Sequence, residues 1–329
     1  MSARRALPWQ IQGYGVVRKK IFTKRRKQSM DKKNLAVLFM VLFALSFSAM
    51  QVSVKLSSGT IPLMEQVFVR NMMNMCVVFF LIKRKGVSFF GEKKYQLRLF
   101  VRDIFSFLGI WCLFYASANG NQADITILNK MSPFFVTIFA SVFLKEKLSK
   151  VQIPALVLAF GGAFLVSSPR FNSNSLPLLI AFLSAITTGV SYTLLSYFKD
   201  KVDGLTVIMH FATFSALFSM LFIFISGNFV VPVGKDLFTL MLVGIFGTVG
   251  QILLTYAYRL APASYVSIYN YVGILFSMLM GYFVLHQEVA MSSILGGGII
   301  VIASLMVYIY DQSKRKERGL KECEHCKMP

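Results

Sequence analysis

Apolar residues run along this chain in ten long blocks rather than in alternation. The blocks cover residues 34–55, 63–82, 99–119, 123–144, 151–168, 176–198, 205–226, 237–258, 262–285 and 291–310. Short polar or turn-rich stretches separate them, among them SSGTIP, NGNQAD, KEKLSK, SSPRFNSNS, KDKVDG and GNFVVPVGKD. A block of about 20 apolar residues, rising about 1.5 Å per residue, matches a hydrocarbon layer about 30 Å thick. The pattern therefore predicts an all-α integral membrane protein of ten transmembrane helices with short loops, its main surroundings being the lipid bilayer.

Composition agrees with that reading. The chain has 329 residues, of which 56% are hydrophobic and 15% charged. No soluble domain of this size could bury so much apolar surface. The net charge of +21 raises the question of nucleic acid, but its distribution argues against such a partner. Lysines and arginines crowd the N-terminal tail, a few loops and the C-terminal tail, and no soluble domain is left to carry a basic face. An even number of spans puts both ends on one side. With the ends in the cytoplasm, 29 Lys and Arg fall inside and only Lys55, Arg170 and Lys235 outside, a bias that orients the chain in a cell (inner or plasma) membrane. The first thirty residues have no apolar core and are not a secretory signal. They read either as a basic flank drawn to anionic lipid or as sequence upstream of a true start at Met30.

The chain also matches itself. At an offset of 141 residues Phe105 meets Phe246, Gly109 meets Gly250, Tyr115 meets Tyr256, Ala116 meets Ala257 and Asn129 meets Asn270; one residue more pairs Glu146 with Glu288. Helices one to five and six to ten are thus two copies of one unit, over 34–168 and 176–310, flanked by tails 1–33 and 311–329. Five is odd, so the second copy enters the membrane from the opposite side. Such inverted repeats mark many secondary transporters, whose substrate site lies near the midplane between the halves. Duplication kept for stability alone is the plainer alternative. The chain has no G-x-x-x-x-G-K-[ST] phosphate loop, so transport would run on a gradient, by exchange or downhill, and no residue pattern asks for a cofactor.

The stretches FYASANGNQADITILNKMSPFFVTIFASVFLKEKLS in the first half and YAYRLAPASYVSIYNYVGILFSMLMGYFVLHQEVA in the second resemble the drug/metabolite transporter superfamily, specifically its EamA-type ten-helix members. The resemblance spans roughly residues 35–310. It implies a carrier of small polar metabolites, such as amino acids or nucleotide-like solutes, working by alternating access. The second half departs from the family pattern by lacking the Ser-Pro of helix four, so gating need not be symmetric. A channel or a structural membrane protein is the competing class. An intramembrane enzyme would need a catalytic cluster, such as H-E-x-x-H, that the chain lacks.

Ionisable groups at membrane depth are costly and point to function. Lys130 lies about 10 Å below the outer end of the fourth helix at about 1.5 Å per residue, and Arg70 lies at similar depth in the second. Together they would suit a carboxylate or phosphate. Alternatively each is neutralised internally, Arg70 by Glu65 and Lys130 by Asp124. Pro133 leaves the carbonyl near Asn129 without its helical partner and can act as a hinge. Asn129 and Asn270 are either pseudo-symmetric ligands or helix-to-helix glue. Trp111, Tyr192, Tyr269 and Tyr271 could stack on a planar solute, while Tyr115, Tyr256 and Tyr265, near helix ends, suit an interfacial belt equally well. His210 could titrate with a proton gradient, although a lone histidine is more often packed. Glu146 and Glu288, at loop edges, read as structural. Gly161-Gly162 and Gly296-Gly297-Gly298 would let helices five and ten approach each other, or pair across a homodimer. The tail motif CEHC at Cys323–Cys326 lacks a fourth zinc ligand.

Overall fold

A computed structural model describes residues 8–57, 59–119, 122–167, 175–285 and 291–325. Side chains are described for these residues except 8–30, 114, 117–118, 122–124, 126, 167, 285 and 315–325. The CEHC side chains, Glu288, the Asp124 side chain and the choice between Met1 and Met30 therefore lie outside the described residues.

Among the described residues all ten predicted spans are helical, two of them with an interruption. They are α1 (Pro8–Ser57), α2 (Leu63–Lys85), α3 (Lys93–Asn119), α4 (Gln122–Asn129) with α5 (Ser132–Phe143), α6 (Gln152–Ser167), α7 (Ser175–Tyr197), α8 (Gly204–Ser226), α9 (Lys235–Leu260), α10 (Ala263–Val266) with α11 (Val272–Leu285), and α12 (Met291–His325). The first and last run well beyond their apolar blocks. Helix α1 continues back through the basic tail, where Lys, Arg and Gln, good helix formers, meet no proline between Pro8 and its end. Several loop signals work as read. Asp203 caps α8 by accepting from the Leu205 N–H at 2.8 Å. Gly86 ends α2 in the left-handed region at φ 66°.

Packing follows the repeat. Helix α3 lies against α7, and α9 against α1; α2 crosses α8 between the halves; α5 meets α7 while α11 meets α1. Matched positions make matched contacts. In the second half, a Cβ on Gly189 would stand 2.5 Å from that of Phe135. In the first half, Ser48, 141 residues earlier, bonds the Gly273 carbonyl and faces Ser277. The terminal helices of the two repeats pair with each other inside one chain. A Cβ on Gly162 would lie 2.6 Å from the Gly296 carbonyl, and one on Gly296 would lie 2.5 Å from that of Gly162, so only glycine allows this approach. The two ends of the bundle's chain also meet on one side. Lys33 pairs with Asp311 at 2.9 Å and Gln312 bonds Asn34 at 3.1 Å, as an even number of spans requires.

Candidate functional site

Two of the ten spans are not continuous helices, and they are the same span in each repeat. In the first half the helix stops at Asn129 and restarts at Ser132. Pro133 is the cause: it has no N–H to give the Asn129 carbonyl. Phe134 turns instead to the Met131 carbonyl at 2.9 Å, which also deprives Lys130 of its helical partner. In the second half, Ser267–Tyr271 winds as a 3₁₀ helix between α10 and α11. No proline is needed there. The segment SIYNY is poor in strong helix formers, and the Ser267 hydroxyl donates back to the Ser264 carbonyl at 3.4 Å. The second half lacks the Ser-Pro of the first, yet it is interrupted at the matched place. The backbone breaks in both copies, by different means.

The two breaks touch. The Tyr271 hydroxyl donates to the freed Lys130 carbonyl at 2.8 Å, joining positions 141 residues apart. Asn129 donates to the Ser184 hydroxyl at 3.0 Å, and Ser184 donates to the Gly109 carbonyl at 2.8 Å, tying the break to α7 and α3. Its partner by symmetry, Asn270, makes no side-chain hydrogen bond among the described residues. The Lys130 ammonium has neither an ion pair nor a hydrogen-bond acceptor among them, and the side chain of Asp124, its expected partner, lies outside them.

Arg70 is placed by glycine. A Cβ on Gly247 would lie within 2.8–3.0 Å of the Arg70 side chain, so α9 is notched where the arginine crosses it. Arg70 reaches the Gln251 amide oxygen at 3.4 Å, and its Nε is buried without a partner. Glu65, the carboxylate expected to neutralise it, is turned away: its Oε2 accepts from the Val230 N–H at 3.1 Å. Gly247, Gln251 and Tyr258 share one face of α9. The Tyr192 ring lies 5.4 Å from that of Tyr258, and Arg70 is within electrostatic reach of Tyr192. The Tyr258 hydroxyl is buried with no partner. Sequence reading passed over Gln251 and Tyr258, since an isolated polar group in an apolar span gives no direction until the helix is packed.

Three expected ligands stand elsewhere. Trp111 stacks on Tyr115 at 6.2 Å along a face of α3 that also carries exposed Leu97, Val101 and Ile104, facing away from the bundle. Tyr269 is buried against Tyr265, their hydroxyls 3.3 Å apart. His210 is held by Asp103 and Gln96. Glu146, read as structural, is so: its carboxylate accepts from the N–H groups of Ala263 and Ser264 at 2.9 and 3.0 Å and from the Ser264 hydroxyl at 2.7 Å. It thus fastens the end of the first repeat's fourth span to the start of α10.

A model of the EamA-like transporter family matches residues 34–168 and, a second time, residues 175–309. The chain belongs to that family. Among its EamA-like relatives, the pseudopaline exporter CntI of Pseudomonas aeruginosa is 28% identical, covering 84% of this chain and 96% of the exporter. Solute carrier family 35 member G1 of Mus musculus is 26% identical over 82% of this chain and 77% of its own length. A solved crystal structure superposes with a TM-score of 0.75 at 16% identity, covering 84% of this chain and 98% of that one. That likeness establishes the fold alone.

Proposed function

We propose that this EamA-like protein is a secondary transporter, an exporter or exchanger, of small polar metabolites that carry a carboxylate or phosphate. The observation that carries the reading is the matched interruption of one span in each repeat, with Lys130 at the break and Arg70 on the notched face of α9, neither neutralised by a described carboxylate. An unpaired cation inside a membrane is costly, and an anionic solute would offset that cost. The freed backbone and the aromatic hydroxyls of Tyr192 and Tyr258 would hydrogen-bond the rest of the solute. Alternating access between the two five-helix halves supplies the transport cycle. Relatives named a pseudopaline exporter and a riboflavin transporter support a metabolite as cargo. The charge bias supports a multi-pass protein of the inner or plasma membrane with both termini in the cytoplasm.

Counterflow in proteoliposomes tests this. Internal carboxylated or phosphorylated metabolites should stimulate uptake of the labelled solute, which a channel would not do. Cysteines placed at Lys55 and Lys201 should label from opposite faces; labelling from one face would refute the inverted topology.

A further inference from the structure

A groove of about 330 Å³ opens where α1 and α2 of the first repeat meet α8 and α9 of the second. It lies at the end of the bundle that carries the basic loops. Phe39, Leu81, Lys85, Leu205, Ile252 and Tyr256 line it. Leu205 is buried and forms the floor, while the other five reach the surface.

The lining is layered. On α2, Leu81 comes one turn before Lys85; on α9, Ile252 comes one turn before Tyr256, a step of about 6 Å along each helix. The Lys85 ammonium lies 3.4 Å from the Tyr256 hydroxyl. The two polar tips therefore meet at one level, with apolar side chains at the level beneath. A phenol does not neutralise an ammonium, and Lys85 has no carboxylate partner among the described residues. Nearby cations are engaged elsewhere. Lys83 sits over the Phe79 ring at 4.6 Å, and Arg259 bonds the carbonyls of Phe198 and Val202.

The other repeat shows that the fold does not demand this arrangement. Helices α2 and α8 match end to end at the 141-residue offset, down to left-handed caps at Gly86 and Gly227 with φ 66° and 65°. At the matched place, on the opposite end of the bundle, Ser226 stands for Lys85. Its hydroxyl turns back to the Ile223 carbonyl at 3.1 Å. Trp111 stands for Ile252, and its ring stacks on Tyr115, the mate of Tyr256. One copy carries bulk and no charge; the other carries room and a lysine.

We propose that this groove binds an anionic phospholipid of the leaflet at that end. Its phosphate sits on Lys85 and the Tyr256 hydroxyl, and the start of an acyl chain lies between Leu81 and Ile252. Basic pockets between membrane helices suit such head groups. A soluble anion would meet the lysine but leave the apolar walls uncovered. A phosphatidylcholine would bring a second cation to a site without a described carboxylate. The bound lipid touches both repeats. The proposal does not depend on what the protein carries.

Native mass spectrometry of the delipidated full chain in detergent tests this, with phosphatidylglycerol and phosphatidylcholine of identical chains as probes. Phosphatidylglycerol should bind about fivefold more tightly, the worth of one lysine near an anionic head group. Lys85→Ala should bring the two lipids level, and Lys85→Arg should keep the preference. Ile252→Trp, which copies the matched residue, should weaken both. Glycerol 3-phosphate, a head group without chains, should not compete. Equal binding of the two lipids by the native protein overturns the proposal. So does a preference that survives Lys85→Ala, unchanged affinities in a folded Ile252→Trp, or competition by glycerol 3-phosphate. Lys85 is exposed, so Lys85→Ala carries the test even if Ile252→Trp does not fold.

Discussion

The hydroxyl of Tyr271 donates to the carbonyl oxygen of Lys130, and the two residues occupy the same place in the two repeats. A pseudo-twofold relationship usually leaves equivalent positions facing each other across a gap. Here they are bonded, and the acceptor exists only because Pro133 upset the helix around it. One copy supplies an orphaned carbonyl and the other supplies its donor.

Tyr271→Phe removes that donor and keeps the ring in place. The part-buried carbonyl then loses its donor, at a cost of about 1 kcal/mol. The variant should insert and fold with a melting temperature lower by several degrees, as measured by a thermal-shift assay in detergent.

Lys130→Ala should abolish or strongly weaken transport in counterflow while leaving membrane insertion and melting temperature close to the parent, since no described residue depends on the ammonium. Normal kinetics in this variant would remove Lys130 from the site.

Gly247→Ala should separate binding from folding. The added methyl would press on the Arg70 side chain at 2.8–3.0 Å, and a flexible side chain yields at small cost. Stability should change by less than about 1 kcal/mol. The KM for an anionic solute should rise severalfold as the guanidinium is pushed off the α9 face, with the maximal rate less affected.

Glu146→Ala removes an acceptor of three hydrogen bonds at the start of α10. Bonds to a charged acceptor contribute about 1.5–3 kcal/mol each in favourable cases, so the junction between Glu146 and α10 should be weakened. Cysteine accessibility at Ser264 should increase relative to the parent, and Glu146→Gln should restore part of the protection.

Much of this was legible in the chain. Span length and polar punctuation located all ten helices, because a bilayer tolerates no other arrangement of such blocks. The 141-residue offset carried the inverted repeat, and Pro133 marked the break in the fourth span. The break in the ninth span was not legible: SIYNY lacks a proline, and the Ser267 and Tyr271 hydroxyl bonds that accompany its 3₁₀ winding leave no mark in the sequence. Partner choice was equally hidden. Glu65 precedes Arg70 closely enough in sequence to suggest a pair, yet packing gives it the Val230 backbone instead. His210 read as a lone histidine until packing brought Asp103 of α3 beside it. Aromatic residues misled where a helical face decides their surroundings, since Trp111 and Tyr115 fall on the outward stripe with Leu97 and Ile104.

The clasp of Lys33 on Asp311 and of Asn34 on Gln312 has a topological meaning. It brings the entrance of the first half beside the exit of the second, so the helical path is a ring with a single cut. A protein begun at residue 175 and bridged from 311 to 34 would bury the same crossings in the opposite order of synthesis.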